Sequence, residues 1–247
     1  MNIISKLVIF ALLSFNSLLA NSYKEVSYPS LDGLEVFAHL YTDGNRSKPF
    51  ILLFHQLGYS KGAYLEIAPK LQDMGFNVMA VDLRNGKEVN GIPNQTTKAL
   101  NRHKVSRSRI AAVQDVKASI NYAKKHYASG KLLLWGSSYS ASIVLMVAGD
   151  DPRVDAVLAF SPGEYFVSKE PAFVQNHVKN MTKPLFFTSA KNEQQSCSII
   201  YNAIPSKEKT YFIPKKGQGR HGSSTLWEQT PNHGEYWKAV KAFLKRF

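Results

Sequence analysis

The sequence predicts an α/β protein, with a mostly parallel central sheet, an antiparallel hairpin at its N-terminal end and helices on both faces. From residue 50 onward, short continuous apolar runs alternate with longer segments of helical spacing. Such runs are typical of strands buried on both faces, and their alternation with helices favours parallel pairing through crossover connections. The length of 247 residues suits one domain, which we expect to span residues 21–247.

The strands of this sheet are predicted from their apolar runs. Residues 26–28 and 34–41 flank a turn segment that contains Pro29 and Gly33, and this arrangement predicts the antiparallel hairpin. Continuous apolar runs then predict buried strands at residues 50–54, 76–81, 132–135, 154–160, 185–188 and 210–213.

The helices are predicted from apolar residues spaced three and four positions apart. In the segment 64–74, Leu65, Ala68 and Leu71 share one face. Pro69 lies inside this segment, where a proline kinks a helix or delays its start. The other predicted helices span residues 110–127, 141–148, 198–203 and 233–247.

Residues 1–20 have the layout of a secretory signal peptide. Lys6 precedes an apolar run over residues 7–13, and small or apolar residues end the segment at Ala20. The run is shorter than the about 20 apolar residues that span a bilayer. We expect cleavage near Ala20 and a secreted or periplasmic protein, with an uncleaved N-terminal membrane anchor as the alternative.

A candidate nucleophile lies between a predicted strand and a predicted helix, in Gly136-Ser137-Ser138-Tyr139-Ser140. This segment differs by Ser140 from the G-x-S-x-G pattern, in which the central serine sits in a strained turn between small residues. The turn lifts the Ser138 hydroxyl to the C-terminal edge of the sheet, where open α/β sheets bind ligands. The alternative is a serine-rich helix N-cap formed by Ser137, Ser138 or Ser140.

A general base and an acid are expected after the nucleophile, in loops at the same edge of the sheet. His221 lies in a glycine-rich loop between the last strand and the last helix, and we prefer it to His233, which begins that helix. Glu193 follows the strand at 185–188 and is the preferred acid, because a carboxylate holds the imidazole in the required tautomer. Glu164, after the preceding strand, is the alternative acid.

Acyl transfer also needs two backbone N–H groups that stabilise the oxyanion. The first candidate is Tyr139 N–H, directly after the nucleophile. The second is Leu57 N–H, with Gln56 N–H as the alternative, in the loop after the first apolar strand. We expect His55 to brace this loop by hydrogen bonds rather than to transfer protons. Candidate substrate-pocket residues are His55, Gln56 and Tyr59.

In their order, these motifs resemble the α/β-hydrolase superfamily, and within it the dienelactone-hydrolase-like and serine-esterase branches, over residues 24–247. The motifs are HQLG at residues 55–58, VDLR at 81–84, GSSYS at 136–140 and HG at 221–222. The resemblance implies the α/β-hydrolase fold, with Ser138 as the acylated nucleophile, His221 as the base and Glu193 as the acid. It also implies a structural role for Asp82.

Three positions depart from the family's pattern. Gln56 replaces the usual glycine after His55, Ser140 replaces the last glycine of the serine turn, and the acid is a glutamate displaced by one residue, because Asn192 stands at the usual position. In addition, the nucleophile of dienelactone hydrolases is typically a cysteine, whereas this chain has a serine. The departures put the dienelactone substrate in doubt but not a hydrolase.

The leading hypothesis is therefore hydrolysis of a small-molecule carboxylic ester through an acyl-enzyme, without a metal or cofactor. A peptidase or amidase that uses the same triad is one alternative. A secreted binding protein that has the hydrolase fold but has lost the chemistry is another, because fold does not imply function.

The chain is strongly basic, with 31 Lys and Arg against 18 Asp and Glu and a formal charge of +13. Residues 85–109 are polar, lack helical or strand spacing and predict a basic insertion near the active site. Nucleic acid is a poor candidate partner, because the basic clusters lack interleaved aromatic residues. The charge predicts either a solvated face or a positive rim that draws an anionic substrate, or an anionic surface, to the site. The basic residues concerned are Lys98, Arg102, Lys104, Arg107, Arg109, Lys215, Lys216 and Arg220.

Overall fold

The computed structural model describes residues 23–102 and 104–247, so the predicted signal peptide lies outside the described residues. The strands are β1 (Lys24–Pro29), β2 (Glu35–Tyr41), β3 (Phe50–Phe54), β4 (Asn77–Val81), β5 (Leu132–Ser137), β6 (Ala156–Phe160), β7 (Leu185–Thr188) and β8 (Lys209–Phe212). They form a single sheet in the order β1-β2-β4-β3-β5-β6-β7-β8.

The pairing within this sheet is antiparallel at one end and parallel elsewhere. β1 and β2 form the predicted hairpin, and β2 also runs antiparallel to β4. All pairs from β4 to β8 are parallel. Every residue of β3 to β7 is buried, as the continuous apolar runs predict.

Helices cover both faces of the sheet. The helices are α1 (Ile67–Asp73), α2 (Gln95–Leu100), α3 (Ala112–His126), α4 (Tyr139–Asp150), α5 (Phe173–His177), α6 (Gln194–Ala203) and α7 (His233–Leu244). α3 to α6 bury their apolar residues against one face, and α1 and α7 against the other. None of the helices within the described residues is long and apolar enough to cross a membrane.

The first predicted helix begins later than its apolar spacing indicates. α1 starts at Ile67, and a 3-10 turn at Lys61–Tyr64 precedes it. Pro69 is thereby the third residue of α1, where its missing N–H is not needed by the helix. The proline therefore delays the start of the helix rather than kinking it.

Residues 85–109 are more ordered than their composition indicates. They contain α2, whose N-cap Asn94 accepts a hydrogen bond from Thr97 N–H through its side chain. The Asn94 amide also donates to the carbonyls of Tyr59 and Leu83. The expectation of a segment without regular structure is therefore wrong, because side-chain capping sets a helix that apolar spacing does not show.

Asp82, which forms a buried ion pair with Lys61, connects residues 85–109 to the sheet through Gln95. The Asp82 carboxylate, directly after β4, accepts hydrogen bonds from Lys61 N–H at 2.7 Å, from Lys61 Nζ at 2.9 Å and from Gln95 N–H at 2.8 Å. Lys61 and Asp82 are both fully buried. The contacts hold together the loop after β3 and the start of α2, which agrees with a structural role for Asp82.

Two of the basic residues of the segment lie next to β2. Lys98 and Arg102 line a cavity of about 330 Å³ together with Glu35 and Phe37 of β2. β2 lies three positions from β5 in the sheet. The segment contacts the loop after β3 at several points, because Gly58 N–H donates to the Asn85 carbonyl, and both Lys87 N–H and the Asn94 amide donate to the Tyr59 carbonyl.

Candidate active site

Ser138 occupies the sharp turn between β5 and α4. Its backbone angles, φ 61° and ψ −128°, lie in a region that residues other than glycine rarely adopt. The turn needs a small residue two positions earlier, since a Cβ on Gly136 would lie 2.5 Å from the Ala141 Cα. This backbone matches the strained serine turn that the sequence predicts.

Ser140 stabilises this turn in place of the usual glycine. Its hydroxyl accepts a hydrogen bond from Ser137 N–H at 2.8 Å and donates to the Phe54 carbonyl at 2.7 Å. The N-cap alternative does not apply to Ser138, because its hydroxyl makes no hydrogen bond to the first turn of α4. The Ser138 hydroxyl is free for another partner.

That partner is His221, in the loop between β8 and α7. A distance of 2.7 Å joins His221 Nε2 to Ser138 Oγ, and His221 Nδ1 contacts Glu193 Oε1. A carboxylate only accepts hydrogen bonds, so Nδ1 carries the ring proton and Nε2 is the acceptor for Ser138. His233, the alternative base, lies at the start of α7, and its Nδ1 bonds to the Thr230 carbonyl.

Glu193 is held by three donors. Its second carboxylate oxygen accepts hydrogen bonds from the Ser161 hydroxyl at 2.7 Å and from Ala190 N–H at 3.1 Å. Burial raises the pKa of Glu193, but the hydrogen bonds from His221 and Ser161 outweigh burial and hold that pKa below its usual range. Glu193 is therefore an ionised carboxylate beside the imidazole.

Glu164, the alternative acid, has a different role. Its two carboxylate oxygens accept hydrogen bonds from Val174 N–H at 2.8 Å and Gln175 N–H at 2.9 Å. These donors are at the start of α5, where a carboxylate satisfies free N–H groups. The structure thus brings Glu193, and not Glu164, to the histidine.

The loop after β3 carries the second candidate oxyanion donor. A turn closed by the hydrogen bond from Tyr59 N–H to the Gln56 carbonyl spans this loop, with Gly58 at φ 78°. Leu57 N–H has no acceptor among the described residues, and Tyr139 N–H lies ahead of the first intrahelical bond of α4. Both predicted donors are therefore available to a ligand.

His55 holds this loop against the residues that follow β4. It is fully buried, its Nδ1 bonds to the Gln56 carbonyl at 2.8 Å, and its Nε2 accepts from Leu83 N–H at 2.9 Å. Because neither ring nitrogen faces solvent, the expectation that His55 lines the substrate pocket is wrong. The expected bracing role agrees with the contacts.

The Gln56 side chain lies beneath the histidine loop. Its Oε1 accepts from the Ser137 hydroxyl at 3.5 Å and would lie 2.6 Å from a Cβ added at Gly222. Gly222 itself has φ 69°. A glycine after His221 is therefore required both by the backbone angle and by the space that Gln56 occupies.

The mouth of the site is open and partly aromatic. His221 and Glu193 have side chains that are 40% and 22% exposed, and Leu57 is 45% exposed. The ring of Tyr59 stacks on Trp227 with centroids 6.0 Å apart, and the guanidinium of Arg220 lies 5.6 Å from the Trp227 ring centroid. The buried Trp227 ring therefore contacts both Tyr59, in the loop after β3, and Arg220, in the histidine loop.

Two residues at the site were not predicted from the sequence. Ser161, directly after β6, contacts Glu193 and has φ 52°. Tyr165 donates its hydroxyl to the Ser161 carbonyl at 3.0 Å, and burial raises the pKa of Tyr165. The only sequence signal was their position, since Ser161 follows a predicted buried strand at the same sheet edge.

The sheet order, the strained serine turn and the histidine–carboxylate pair together define an α/β-hydrolase. The model of the Dienelactone hydrolase family matches residues 36–202, and the chain belongs to this family. The matched region contains Ser138 and Glu193 and ends before His221. The resemblance that the motifs indicated is confirmed.

Solved structures show the same fold at low sequence identity. The esterase Pf2001 of Pyrococcus furiosus has 18% identity and a TM-score of 0.70, over 92% of this chain and 93% of that chain. The dienelactone hydrolase of Anabaena variabilis has 14% identity and a TM-score of 0.66, over 92% and 98%. The acylaminoacyl peptidase of Pyrococcus horikoshii has 15% identity and a TM-score of 0.64, over 92% of this chain and 41% of that chain.

A relative with higher identity is the thiohydrolase apmlB of Arthrinium phaeospermum. It is 30% identical over 140 residues, which make up 56% of this chain and 43% of the relative. This chain therefore matches less than half of that protein's length. Together, the family and these neighbours support a hydrolase.

Proposed function

We propose that the protein hydrolyses carboxylic esters through an acyl-enzyme on Ser138. The observation that carries this proposal is the continuous chain of contacts from Ser138 Oγ to His221 Nε2 and from His221 Nδ1 to Glu193. Nucleophile, base and orienting acid are thereby in hydrogen-bond contact, which is the arrangement that activates a serine.

In the proposed reaction, His221 Nε2 takes the Ser138 proton as Oγ attacks the ester carbonyl. Ionised Glu193 stabilises the imidazolium that forms. The N–H groups of Tyr139 and Leu57 stabilise the oxyanion, and losing one such donor typically costs about 2.7–4 kcal/mol of transition-state stabilisation. The imidazolium then protonates the departing alcohol, and water releases the acyl group with His221 again as base.

The chemistry is assigned to the serine because the one cysteine is unsuited to it. Cys197 is buried on α6, and its thiol donates to the Pro162 carbonyl. Burial raises the pKa of Cys197 to about 12, so the reactive thiolate is scarce at neutral pH. The turn position that contacts His221 holds Ser138 instead.

Thioesters are a second candidate substrate class, because the relative with 30% identity is a thiohydrolase. A thiolate leaves more easily than an alkoxide, so the same three residues suffice for both classes. Cleavage of a peptide amide demands more of His221, which must protonate a poorer leaving group. A binding protein without chemistry is disfavoured, since nothing in such a role requires the strained Ser138 or its contact with His221.

The proposal is tested by covalent labelling with a fluorophosphonate and by hydrolysis of matched p-nitrophenyl esters, thioesters and peptide amides. We expect labelling at Ser138, ester or thioester hydrolysis, and loss of both in Ser138→Ala. Ser142→Ala is the matched control, because it removes another buried hydroxyl of α4 that contacts Gly163 rather than His221. Activity retained in Ser138→Ala, or an unlabelled wild-type protein, would contradict the proposal.

A further inference from the structure

Ser161 lies at the junction of three loops that form the site. It is 1% exposed and directly follows β6. Its hydroxyl donates to Glu193 Oε2 at 2.7 Å and accepts from Gly222 N–H at 2.9 Å. The hydroxyl has one proton, so the two bonds have a fixed direction, from Gly222 through Ser161 to the carboxylate.

These bonds close a ring. His221 donates to one oxygen of Glu193, Ser161 donates to the other, and Ser161 accepts from the residue that is covalently joined to His221. The separation between imidazole and carboxylate is thus set twice, once by their own contact and once through Ser161. Because Gly222 has no side chain of its own, its N–H bond to Ser161 is what ties this point of the histidine loop to the acid.

The backbone of Ser161 is also held in an unfavourable conformation. Its φ of 52° is rare for a residue other than glycine and is unfavourable for folding. The N–H donates to the Thr188 carbonyl at 2.7 Å, and the carbonyl accepts from Tyr165. Glycine would relieve the strain but would lack the hydroxyl that reaches Glu193 and Gly222.

We propose that Ser161 is a positioning residue for the triad, whose hydroxyl locks the Glu193 carboxylate to the His221 loop. This inference rests on the proposed serine hydrolase function. Ser161 touches neither His221 nor the site of acyl transfer directly; it acts through Glu193 and Gly222. Loss of the Ser161 hydroxyl should therefore slow the chemical step and change the protonation of Glu193 and His221, with little effect on substrate binding.

The test compares Ser161→Ala, Ser161→Gly and the control Ser142→Ala. Ser142 is equally buried. Its hydroxyl accepts from Gly163 N–H at 3.0 Å and donates to the Gly163 carbonyl at 2.8 Å, and this hydroxyl contacts no triad side chain. We expect both Ser161 variants to lose about 10-fold to 100-fold in kcat with KM within about twofold. The acidic limb of the kcat/KM profile moves to higher pH, because the carboxylate loses a donor.

Ser161→Gly keeps the test decisive if Ser161→Ala folds poorly, because glycine removes the strain together with the hydroxyl. Wild-type kcat and an unchanged pH profile in Ser161→Gly would overturn the proposal, since only the backbone shape would then matter. An equal loss in Ser142→Ala would also overturn it, because any buried hydroxyl that contacts the loop after β6 would then have the same effect.

A readout independent of activity separates this proposal from the proposed function. The proton NMR signal of His221 Nδ1–H, moved downfield by its bond to Glu193, should persist in wild type and Ser142→Ala and should shift or broaden in both Ser161 variants. If wild type is neither labelled by fluorophosphonate nor active, the proposed function fails, and this signal still decides the role of Ser161. An unchanged signal in Ser161→Gly would refute that role.

Discussion

Replacing Glu193 by Gln removes the negative charge of the triad while keeping the size and shape of the side chain. In the wild type, one carboxylate oxygen accepts from His221 Nδ1, and the other accepts from the Ser161 hydroxyl and Ala190 N–H. Every neighbour of this carboxylate is a donor. An amide has one acceptor oxygen and one donor nitrogen, so one side must be mismatched.

Each orientation of the amide has a definite consequence. If its NH₂ faces Ala190 N–H and Ser161, the Ala190 N–H meets another donor, and the Ser161 hydroxyl loses the acceptor for its own proton. If the NH₂ faces His221, Nδ1 becomes the acceptor and the ring proton moves to Nε2. That tautomer cannot take the Ser138 proton.

The size of the effect follows from these two options. The corresponding wrong-tautomer change in a serine protease lowers kcat about 10⁴-fold. Here the His221 side chain is 40% exposed, so water compensates in part for the lost charge. We therefore expect Glu193→Gln to lower kcat about 10³-fold, which corresponds to about 4 kcal/mol of transition-state stabilisation.

The assay is steady-state hydrolysis of a p-nitrophenyl ester by wild type, Glu193→Gln and Glu164→Gln, with the folded fraction of each checked by circular dichroism. Glu164→Gln is the matched control, because Glu164 binds only the N-terminal turn of α5 among the described residues. We expect its kcat within about twofold of wild type, since it contacts no triad residue. A loss below tenfold in Glu193→Gln, or an equal loss in Glu164→Gln, would refute this reasoning.

Three further predictions concern the same site. Gly222→Ala should lower the free energy of unfolding in urea by about 1–3 kcal/mol, because alanine is strained at φ 69° and its Cβ meets Gln56, whereas Gly234→Ala, with open space in α7, should not lower it. Folding lowers the pKa of Glu193 below its ordinary 4.5, so ionised Glu193 stabilises the folded protein fully above pH 4.5, and this contribution is lost as the pH falls through the lower folded-state pKa. On acidification, wild type should therefore lose more free energy of unfolding than Glu193→Gln, and equal losses would contradict this. Finally, if the positive charge around Arg220 draws anionic substrates, added salt should lower kcat/KM for an anionic ester and leave a neutral ester unaffected; equal responses would contradict it.

Several features of the fold were predictable because they depend on local composition. A strand buried on both faces must be apolar throughout, and β3 to β7 each follow that rule. The start of α1 and the existence of α2 were not predicted correctly. Pro69 shifts the start of α1 away from the position that apolar periodicity predicts, and the Asn94 cap begins α2 in a segment that has no such periodicity.

The candidate site was predictable as far as chain order constrains it. Parallel strands deliver their following loops to one edge of the sheet, so Ser138, Glu193 and His221 could be expected to meet. The choice between Glu193 and Glu164 could not be made in this way, because both follow strands that end at that edge. The hydrogen bonds of each carboxylate distinguish them.

Short segments of sequence were enough to predict which strands are buried, where the serine turn lies and which late histidine is available, because burial and turn chemistry are local properties. The three-dimensional arrangement was needed to show that His55 supports a loop, that Gly222 must lack a side chain and that Ser161 joins the acid to the histidine loop. These contacts join residues far apart in the chain: His55 and Leu83 are 28 residues apart, Ser161 and Gly222 are 61 apart, and Gln56 and Gly222 are farther apart still. Their meeting depends on how the strands align and how each loop leaves the sheet, which no local pattern of residues specifies.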